Sequence, residues 1–194
     1  MSSLKGSQTE VNILTAFAGE SQARNRYTFA ASIANKEGYA KIASIFLETA
    51  DQEKEHAKRL FRFLEGGEAV VSAAFPAGLE EKTSAQLAAA AAGERHEWTV
   101  MYPEFATIAR QEGFKDISTV MEGIAVAEKY HEKRFAQYLE EIRLDKHFTK
   151  PYRGTWRCRN CGYIHESFKA LDSCPVCAHP KAYFEFIARD GVKI

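Results

Sequence analysis

The chain has 194 residues, of which 45% are hydrophobic and 27% are charged. This composition is typical of a globular protein of one or two domains and excludes a disordered or fibrous chain. Lys and Arg number 26, as do Asp and Glu, so the dominant basic field of a nucleic-acid binder is missing. Apolar runs are too short to span a bilayer, and the N-terminal MSSLKGSQTE has no apolar signal core. We therefore expect a cytoplasmic protein that binds neither nucleic acid nor membrane.

Charge and cysteine are unevenly distributed along the chain. Residues 150–194 contain eight basic and four acidic residues, so this segment carries +4 and the rest carries −4. All four cysteines lie in the same segment. We predict a helical domain over residues 1–146, a linker over 147–154 and a small metal-binding domain over 155–194.

Four segments of the first domain carry apolar residues at alternating steps of three and four. They predict helices over about residues 7–36, 39–65, 84–112 and 115–144. Ser7 and Glu10 have capping-box spacing at the first helix start, and Gly66-Gly67 favours the end of the second. Pro103 should kink or locally open the third helix. Such stripes are typical of a four-helix bundle, so the fold class is mainly α.

Ionisable side chains interrupt all four apolar stripes at mid-helix. They are Glu20, Glu53, His56, Glu94, Glu97, Glu128 and His131. A buried, unpaired carboxylate costs several kcal/mol. No Lys or Arg falls on the stripes at this level, although Arg24 is adjacent. Metal ions are the natural source of the compensating positive charge.

The bundle sequence also repeats itself. Glu53-x-x-His56 recurs as Glu128-x-x-His131 at an offset of 75, and Ala18-Gly19-Glu20 recurs as Ala92-Gly93-Glu94 at an offset of 74. A single Glu-x-x-His usually lies on a solvated helix face, but two matched copies on buried stripes do not fit that interpretation. One Glu from each of two helices and one Glu-x-x-His from each of the others form the ligand set of carboxylate-bridged di-iron or di-manganese sites.

Glu97 breaks the symmetry, because its counterpart in the first helix is Ala23. It is either a fifth carboxylate of the metal site or a surface residue one turn beyond Glu94. The stripe places it inward, and an additional carboxylate favours a more highly charged metal pair. We predict that one ion exchanges Glu97 for His56 between its oxidised and reduced states, which makes these two the candidate catalytic residues.

Two Cys-x-x-Cys knuckles occupy the C-terminal segment, with twelve residues between them. The predicted ligands are Cys158, Cys161, Cys174 and Cys177. In a cytoplasmic protein this spacing favours a tetrahedral thiolate metal site over disulfides. Iron and zinc both fit such a site, and spacing does not separate them.

The two motif sets together resemble the rubrerythrin family over essentially the whole chain. The resemblance implies a ferritin-like four-helix bundle with a C-terminal rubredoxin-like domain, and reduction of hydrogen peroxide to water in oxidative-stress protection. It also implies two iron ions in the bundle, with Glu53 and Glu128 bridging them and His56 joining in the reduced state, and one Fe(Cys)4 site. Neither haem nor flavin is expected.

The family resemblance further implies a homodimer in which the rubredoxin-like site of one subunit lies near the di-iron site of the other. No G-x-G-x-x-G is present, so we expect a separate donor, such as a rubredoxin or an NAD(P)H-linked reductase. Two alternatives remain: a ferritin-like ferroxidase or storage protein, and a zinc-ribbon interaction module on a helical scaffold.

Two tyrosines and four histidines remain to be placed. Tyr27 and Tyr102 could hydrogen-bond a ligand carboxylate, or could simply pack in the core. The remaining histidines are expected at the surface, and they are His96, His147, His165 and His179.

Overall fold

The computed structural model describes residues 3–78, 81–189 and 192–193. In these ranges the helices are α1 (Gln8–Lys36), α2 (Ala40–Phe61), α3 (Thr83–His96), α4 (Tyr102–Gln111) and α5 (Lys115–Arg143). The strands are β1 (Thr149–Cys158), β2 (Ile164–Lys169), β3 (Phe184–Arg189) and β4 (Val192–Lys193). The predicted mainly helical bundle with a small C-terminal metal-binding domain is confirmed. Among the described residues, every helix is too short or too polar to cross a membrane.

The predicted first and fourth helices agree with α1 and α5 to within a residue, but the other two predictions need correction. Helix α2 ends at Phe61, four residues before the predicted end. The predicted third helix is interrupted by a π-helical turn, Glu97–Met101, which separates α3 from α4. The irregularity expected at Pro103 therefore lies just before it, and Pro103 itself occupies the first turn of α4, where no backbone N–H is needed.

The start of α1 is capped from two directions. Ser7 Oγ accepts the backbone N–H of Glu10, as the capping-box spacing predicts, while Glu10 accepts the N–H of Gly6. Glu112, at the end of α4, accepts the N–H groups of Gln8 and Thr9. The N-terminus of α1 is thereby attached to the second helical hairpin.

The bundle consists of two helical hairpins, α1–α2 and α3–α4–α5, and the α1–α2 and α4–α5 connections have the same turn structure. Gly38 and Gly113 both adopt positive φ, at 84° and 92°. The residue after each glycine donates its N–H to a carbonyl five residues earlier, Tyr39 to Ala34 and Phe114 to Ala109, both at 2.8 Å. All of these pairs are 75 residues apart. The repeat detected in the sequence is therefore a repeat of backbone structure.

The segment after α2 crosses along the outside of α1 towards the second hairpin over its described residues, which end at Gly78. Phe75 Cε1 lies 3.7 Å from the position that a Cβ on Gly19 would occupy. Pro76 and Gly78 line a shallow surface depression together with Arg26 and Phe29 of α1. The crossover allows the two hairpins to pack side by side with their buried faces together.

Two apolar layers fill the bundle, one on each side of its middle. One contains Ala23, Tyr27, Phe46 and Phe135, among others. The other contains Ile13, Ala16, Leu60, Tyr102 and Met121. Glu20 lies between these layers on α1, as Glu128 does on α5. Glu20 and Glu128 therefore lie in a polar middle layer with an apolar core above and below it.

The C-terminal strands form an antiparallel sheet in the order β2-β1-β3-β4. Its small core contains Trp156, Phe184 and Ala170, which pack against Cys158 and Cys174. Residues 147–154, predicted as a linker, include the first part of β1.

This sheet domain contacts the end of the bundle where α1 turns into α2. Lys41 Nζ lies 3.1 Å from Glu185 Oε2, and Tyr39 stacks on Phe148 with ring centroids 6.0 Å apart. His147, predicted at the surface, is in fact buried between Tyr39, Tyr138 and Phe148, with Nδ1 3.2 Å from Glu141. Its location in a domain contact, which no helical stripe marks, is the reason that the prediction was wrong.

Candidate metal centre

Four helices bring six of the predicted ligands together in the middle layer. They form two groups, Glu20–Glu53–His56–Glu128 and Glu53–Glu94–Glu128–His131, and in each group one donor atom per residue lies within 4.8 Å of all the others. Glu53 and Glu128 belong to both groups. Two adjacent cation sites that share two carboxylates are the arrangement expected for a bridged metal pair.

Each histidine presents Nδ1 to the carboxylates. His56 Nδ1 lies 2.9 Å from Glu128 and 3.0 Å from Glu53, and His131 Nδ1 lies 2.6 Å from Glu128. His131 Nε2 lies 2.9 Å from Gln52 Oε1, so an N–H at Nε2 can donate to the amide oxygen. Such a bond orients a histidine and leaves the other nitrogen free to bind a metal.

Glu97 lies outside both groups, although it is close enough for their charges to act on it. It is the first residue of the π turn and is half-buried. Burial raises the pKa of its carboxyl well above the usual range, and the nearby carboxylates raise it further, Glu20 most strongly. The backbone N–H of Tyr102 donates to the carbonyl of Glu97, and the Tyr102 hydroxyl donates to Glu20, so Glu97 lies one turn from the residue that holds Glu20. Its role as a ligand stays a prediction.

Two buried tyrosines hold the two unshared glutamates. Tyr27 of α1 donates its hydroxyl proton to Glu94 of α3, and Tyr102 of α4 donates to Glu20 of α1. Of the two interpretations of these tyrosines, the hydrogen-bonding one is confirmed for both. Each bond fixes one carboxylate oxygen and leaves the other directed at the centre.

The π turn explains why the two sequence repeats have different offsets. Before the turn, Glu20 and Glu94 are 74 residues apart, whereas Tyr27 and Tyr102 are 75 apart after it. A π turn contains one residue more than the corresponding α-helical turn, because its hydrogen bonds run from i to i+5. The change of offset is therefore a sequence signal for the inserted residue, and the helical stripes alone do not contain it.

The pKa values of several middle-layer residues reflect an excess of buried carboxylates. Burial raises the pKa of the Glu20 and Glu94 carboxyls. Burial alone would lower the pKa of His56 and His131, but the carboxylates next to them, that of Glu128 foremost, outweigh it and raise both values. Protons and metal ions therefore compete for the same carboxylate oxygens.

Hydrogen bonding gives an independent test of whether metal ions fit. Within the described part of the chain, six buried side-chain atoms of these residues have no hydrogen-bond partner of suitable geometry: Glu20 Oε2, Glu53 Oε1, Glu94 Oε2, both Glu128 oxygens and His131 Nδ1. Buried polar atoms are nearly always satisfied in native proteins. A concentration of unsatisfied atoms at one point, all of them metal-ligand types, fits a di-metal site.

A buried cation near this layer was not expected from the stripes. Arg134, three residues after His131, is buried and donates to Glu48 and Thr49, both at 2.5 Å. Arg24, by contrast, is exposed. Arg134 satisfies Glu48 rather than the central carboxylates, so it does not replace a metal ion.

The four cysteines form a second candidate metal site in the C-terminal domain. Their sulfur atoms all lie within 4.8 Å of one another, with Cys158–Cys177 at 3.7 Å and Cys161–Cys174 at 3.6 Å. All four are free thiols. Metal–sulfur bonds of about 2.3 Å in a tetrahedron give an edge of about 3.8 Å. The observed separations are therefore those of a tetrahedral four-cysteine site.

The two knuckles have the same backbone structure. The N–H of Gly162 donates to the carbonyl of Cys158 and that of Ala178 to Cys174, both at 2.9 Å. A hydrogen bond from the backbone N–H of His179 lowers the pKa of the Cys177 thiol. Such bonds favour the thiolate form that binds metal.

Comparison with known proteins agrees with both sites. The family model described as rubrerythrin matches residues 12–139, and the model of the rubrerythrin rubredoxin-like domain matches residues 156–185. The chain belongs to the rubrerythrin family. It is 59% identical to rubrerythrin of Nitratidesulfovibrio vulgaris over 96% of this chain and 98% of the relative, and 56% identical to rubrerythrin of Porphyromonas gingivalis over 94% and 92%.

Among solved structures, this rubrerythrin-family chain is similar to the fully reduced, all-ferrous state of nigerythrin. The TM-score is 0.63 at 29% identity, over 94% of this chain and 91% of the other. The carboxylate–histidine groups and the four-cysteine site are consistent with a di-iron pair and an Fe(Cys)4 centre.

Proposed function

We propose that the protein is a non-haem di-iron peroxidase that reduces hydrogen peroxide to water. The observation that carries the proposal is the pair of four-residue groups that share Glu53 and Glu128. In the reaction the O–O bond of one peroxide breaks, and two electrons and two protons convert it to two waters. When bound, a pair of ferrous ions would supply two electrons and polarise the peroxide oxygens.

Six residues of the two groups would hold such a pair of ions. Glu53 and Glu128 would bridge the ions, Glu20 and His56 would bind one, and Glu94 and His131 the other. Tyr102 and Tyr27 fix the orientation of Glu20 and Glu94. The His56 side chain is 17% exposed, whereas those of Glu20, Glu53 and Glu128 are at most 1% exposed. Peroxide would therefore enter beside His56. This is also the metal position at which Glu97 could take the place of His56.

The four-cysteine centre would receive single electrons from an external carrier protein or reductase and pass them on. Within one chain, the sheet domain meets the bundle at Lys41, twelve residues before Glu53 on the same helix. At 1.5 Å per residue this separation is about 18 Å. It supports the proposal of a homodimer in which the four-cysteine centre of one subunit serves the bundle of the other.

Metal content and single-turnover reactions test this function. The proposal predicts three iron atoms per chain. Replacing Cys158 and Cys174 by Ser should leave the bundle iron in place, abolish donor-driven turnover and preserve one reaction of pre-reduced protein with peroxide. Survival of donor-driven turnover would reject the role of the four-cysteine centre, and a faster reaction with oxygen than with peroxide would favour a ferroxidase. A colourless protein with zinc at the cysteines would favour the interaction module.

A further inference from the structure

Trp98, the second residue of the π turn, is attached to α5 by two contacts. Its indole N–H donates to Glu132 Oε2 at 2.5 Å, and Lys129 Nζ lies 5.0 Å from the centroid of its ring. Trp98 and Glu132 are both half-buried. Because Trp98 makes both a charge-assisted hydrogen bond and a cation–π contact, its side chain attaches the turn to α5 specifically and does more than pack against it.

The attachment point is the part of α5 that carries the metal-binding residues. Lys129 follows Glu128 in the sequence, and Glu132 follows His131. Glu128 and His131 point into the buried middle layer, while Lys129 and Glu132 face the π turn. Trp98 therefore connects the turn that contains Glu97 to the turn of α5 that presents two other predicted ligands, Glu128 and His131.

A π turn needs such an attachment because its extra residue is not fixed by backbone bonding alone. The turn can move along a helix when i→i+5 bonds are exchanged for i→i+4 bonds at neighbouring positions. Each such step would rotate Glu97 away from the Glu20 group. Thr99, in the same turn, donates to the carbonyl of Arg95 in its own helix, so this bond moves with the helix.

We propose that the Trp98–Glu132 hydrogen bond fixes the position of the π turn and thereby holds Glu97 beside the group formed by Glu20, Glu53, His56 and Glu128. Trp98 is then a positioning residue that acts through Glu97. The inference rests on the proposed role of Glu97 as a metal ligand.

The first test is hydrogen exchange in the metal-free full-length protein. Trp98→Phe keeps an aromatic ring but removes the N–H donor, so the amides of residues 97–102 should exchange about tenfold faster, as expected for loss of a bond to a charged group. Glu132→Ala should have the same effect, whereas Glu132→Gln keeps an uncharged acceptor and should fall between the parent and Glu132→Ala. Thr99→Val, which removes a hydroxyl bond within the turn, is the matched control. Unchanged exchange in Trp98→Phe would overturn the inference.

The second test is a double-mutant cycle on the midpoint potential of the iron-loaded bundle. Glu97→Ala should weaken the ferric form relative to the ferrous form about tenfold, which is about 59 mV for a one-electron step. Trp98→Phe should shift the potential in the same direction, and should add nothing in the Glu97→Ala background because it acts through that residue.

The outcomes of the cycle separate this inference from the proposed function. An equal shift from Trp98→Phe in both backgrounds, or no shift in either, would overturn the positioning role while leaving Glu97 as a ligand. An unchanged potential in Glu97→Ala itself would reject the ligand role, and the positioning role would fall with it.

Discussion

Tyr27 and Tyr102 occupy equivalent positions in the two helical hairpins, and each hydroxyl donates to the glutamate of the opposite hairpin. Tyr27 donates to Glu94, and Tyr102 donates to Glu20. The two bonds are related by the internal pseudo-twofold repeat. They therefore connect the hairpins to each other as well as orienting the carboxylates.

Removing either hydroxyl should weaken both the fold and the metal site. Tyr27→Phe and Tyr102→Phe would each leave a buried carboxyl oxygen without its donor, at a cost of about 1–3 kcal/mol in the free energy of unfolding. Loss of such an orienting bond should also reduce metal affinity about tenfold or more. Urea unfolding of the metal-free protein and anaerobic titration with ferrous iron measure the two effects.

Tyr130→Phe is the matched control, because Tyr130 lies on α5 and is 59% exposed. It should change neither quantity. If the two buried variants bind ferrous iron as tightly as this control does, the tyrosines act in packing alone.

The repeat shows how much of the centre is readable from sequence. Two Glu-x-x-His motifs and two lone glutamates on buried stripes predict that these side chains converge. In the structure they form two groups, and the donor atoms in each group lie within 4.8 Å of one another. The partners of Tyr27 and Tyr102 were not predictable individually, because a tyrosine on an apolar stripe packs equally well without a bond. The π turn was predictable from the repeat offsets. The offset is 74 at Glu20 and 75 at Tyr27, and this change requires one inserted residue between the equivalent positions of the second hairpin.

Contacts made away from the core-facing stripes could not be predicted from sequence periodicity. His147 and Arg134 are both buried by partners distant in sequence, Tyr39 for the first and Glu48 for the second. Neither position differs from a surface residue in its local pattern. Helical stripes record only the face that each helix turns towards the bundle core.

The metal-free protein should lose stability as the pH rises above neutrality. Burial raises the folded-state pKa of Glu20 to about 8, from an ordinary value of 4.5, and raises that of Glu94 as well. A raised folded-state pKa means that the folded protein binds protons more tightly than the unfolded chain. Its stabilising contribution is complete below the unfolded pKa and is lost as the pH rises through the folded value.

Urea unfolding at about pH 6 and about pH 9 measures this dependence, with a lower free energy of unfolding expected at the higher pH. Glu20→Gln removes one titrating group and should make the dependence shallower. Ferrous affinity should change in the opposite direction, because protons leave the carboxylates when metal binds. Stability that is constant or rises over this range would contradict the proposed protonation of the centre.

The two knuckles of the four-cysteine site differ at the residue after the second cysteine. Gly162 and Ala178 both adopt positive φ, at 79° and 58°. Gly162→Ala should destabilise the metal-bound domain by about 1–2 kcal/mol, the ordinary cost of an L-residue in this conformation. A Cβ at Gly162 meets no heavy atom within 4 Å, so the cost comes from the backbone and not from a clash.

Ala178→Gly is the reverse experiment in the equivalent turn. It relieves the same backbone strain but increases the flexibility of the unfolded chain, so it should be neutral or slightly stabilising. Thermal loss of the thiolate–metal absorbance compares the two variants. An equal loss of stability in both would show that left-handed geometry does not determine their effect.

The contact between the sheet domain and the bundle depends on Lys41 and Glu185. Lys41→Met should weaken it by about 1 kcal/mol or less, because Arg157 and Arg159 continue to pair with Glu185. Faster hydrogen exchange at residues 147–152 and 181–183 would report the loosening. Lys36→Met, which alters an exposed lysine at the end of α1, is the control, and equal exchange in both variants would reject the role of Lys41.

This contact should also weaken in acid. Burial alone would raise the pKa of Glu185, but hydrogen bonds with Arg157 and Lys41 outweigh it and lower the value. A lowered folded-state pKa gives stability that is present above the unfolded value and lost as the pH falls through the folded one. The difference between Lys41→Met and the parent should therefore be largest near neutral pH and should disappear once Glu185 is protonated.

The final prediction concerns the exchange of Glu97 and His56 at one metal position. The group formed by Glu20, Glu53, His56 and Glu128 is complete without Glu97. Burial raises the pKa of the Glu97 carboxyl, and among the neighbouring carboxylates Glu20 raises it most. Glu97→Ala should therefore still bind two ferrous ions per chain. Its ferric form should be destabilised, because a more highly charged ion loses an anionic ligand while a ferrous ion tolerates the neutral imidazole.

Ferrous binding and the midpoint potential of the bundle test this exchange together, with Glu104→Ala, an exposed glutamate of α4, as the control. Glu97→Ala should raise the potential at unchanged ferrous stoichiometry. His56→Ala should do the opposite, weakening ferrous binding and lowering the potential, because it removes the ligand of the reduced state. Crystals of the parent protein in both redox states provide the direct observation. If Glu97 and His56 bind the same ion together in both states, or neither binds it in either, the exchange does not occur.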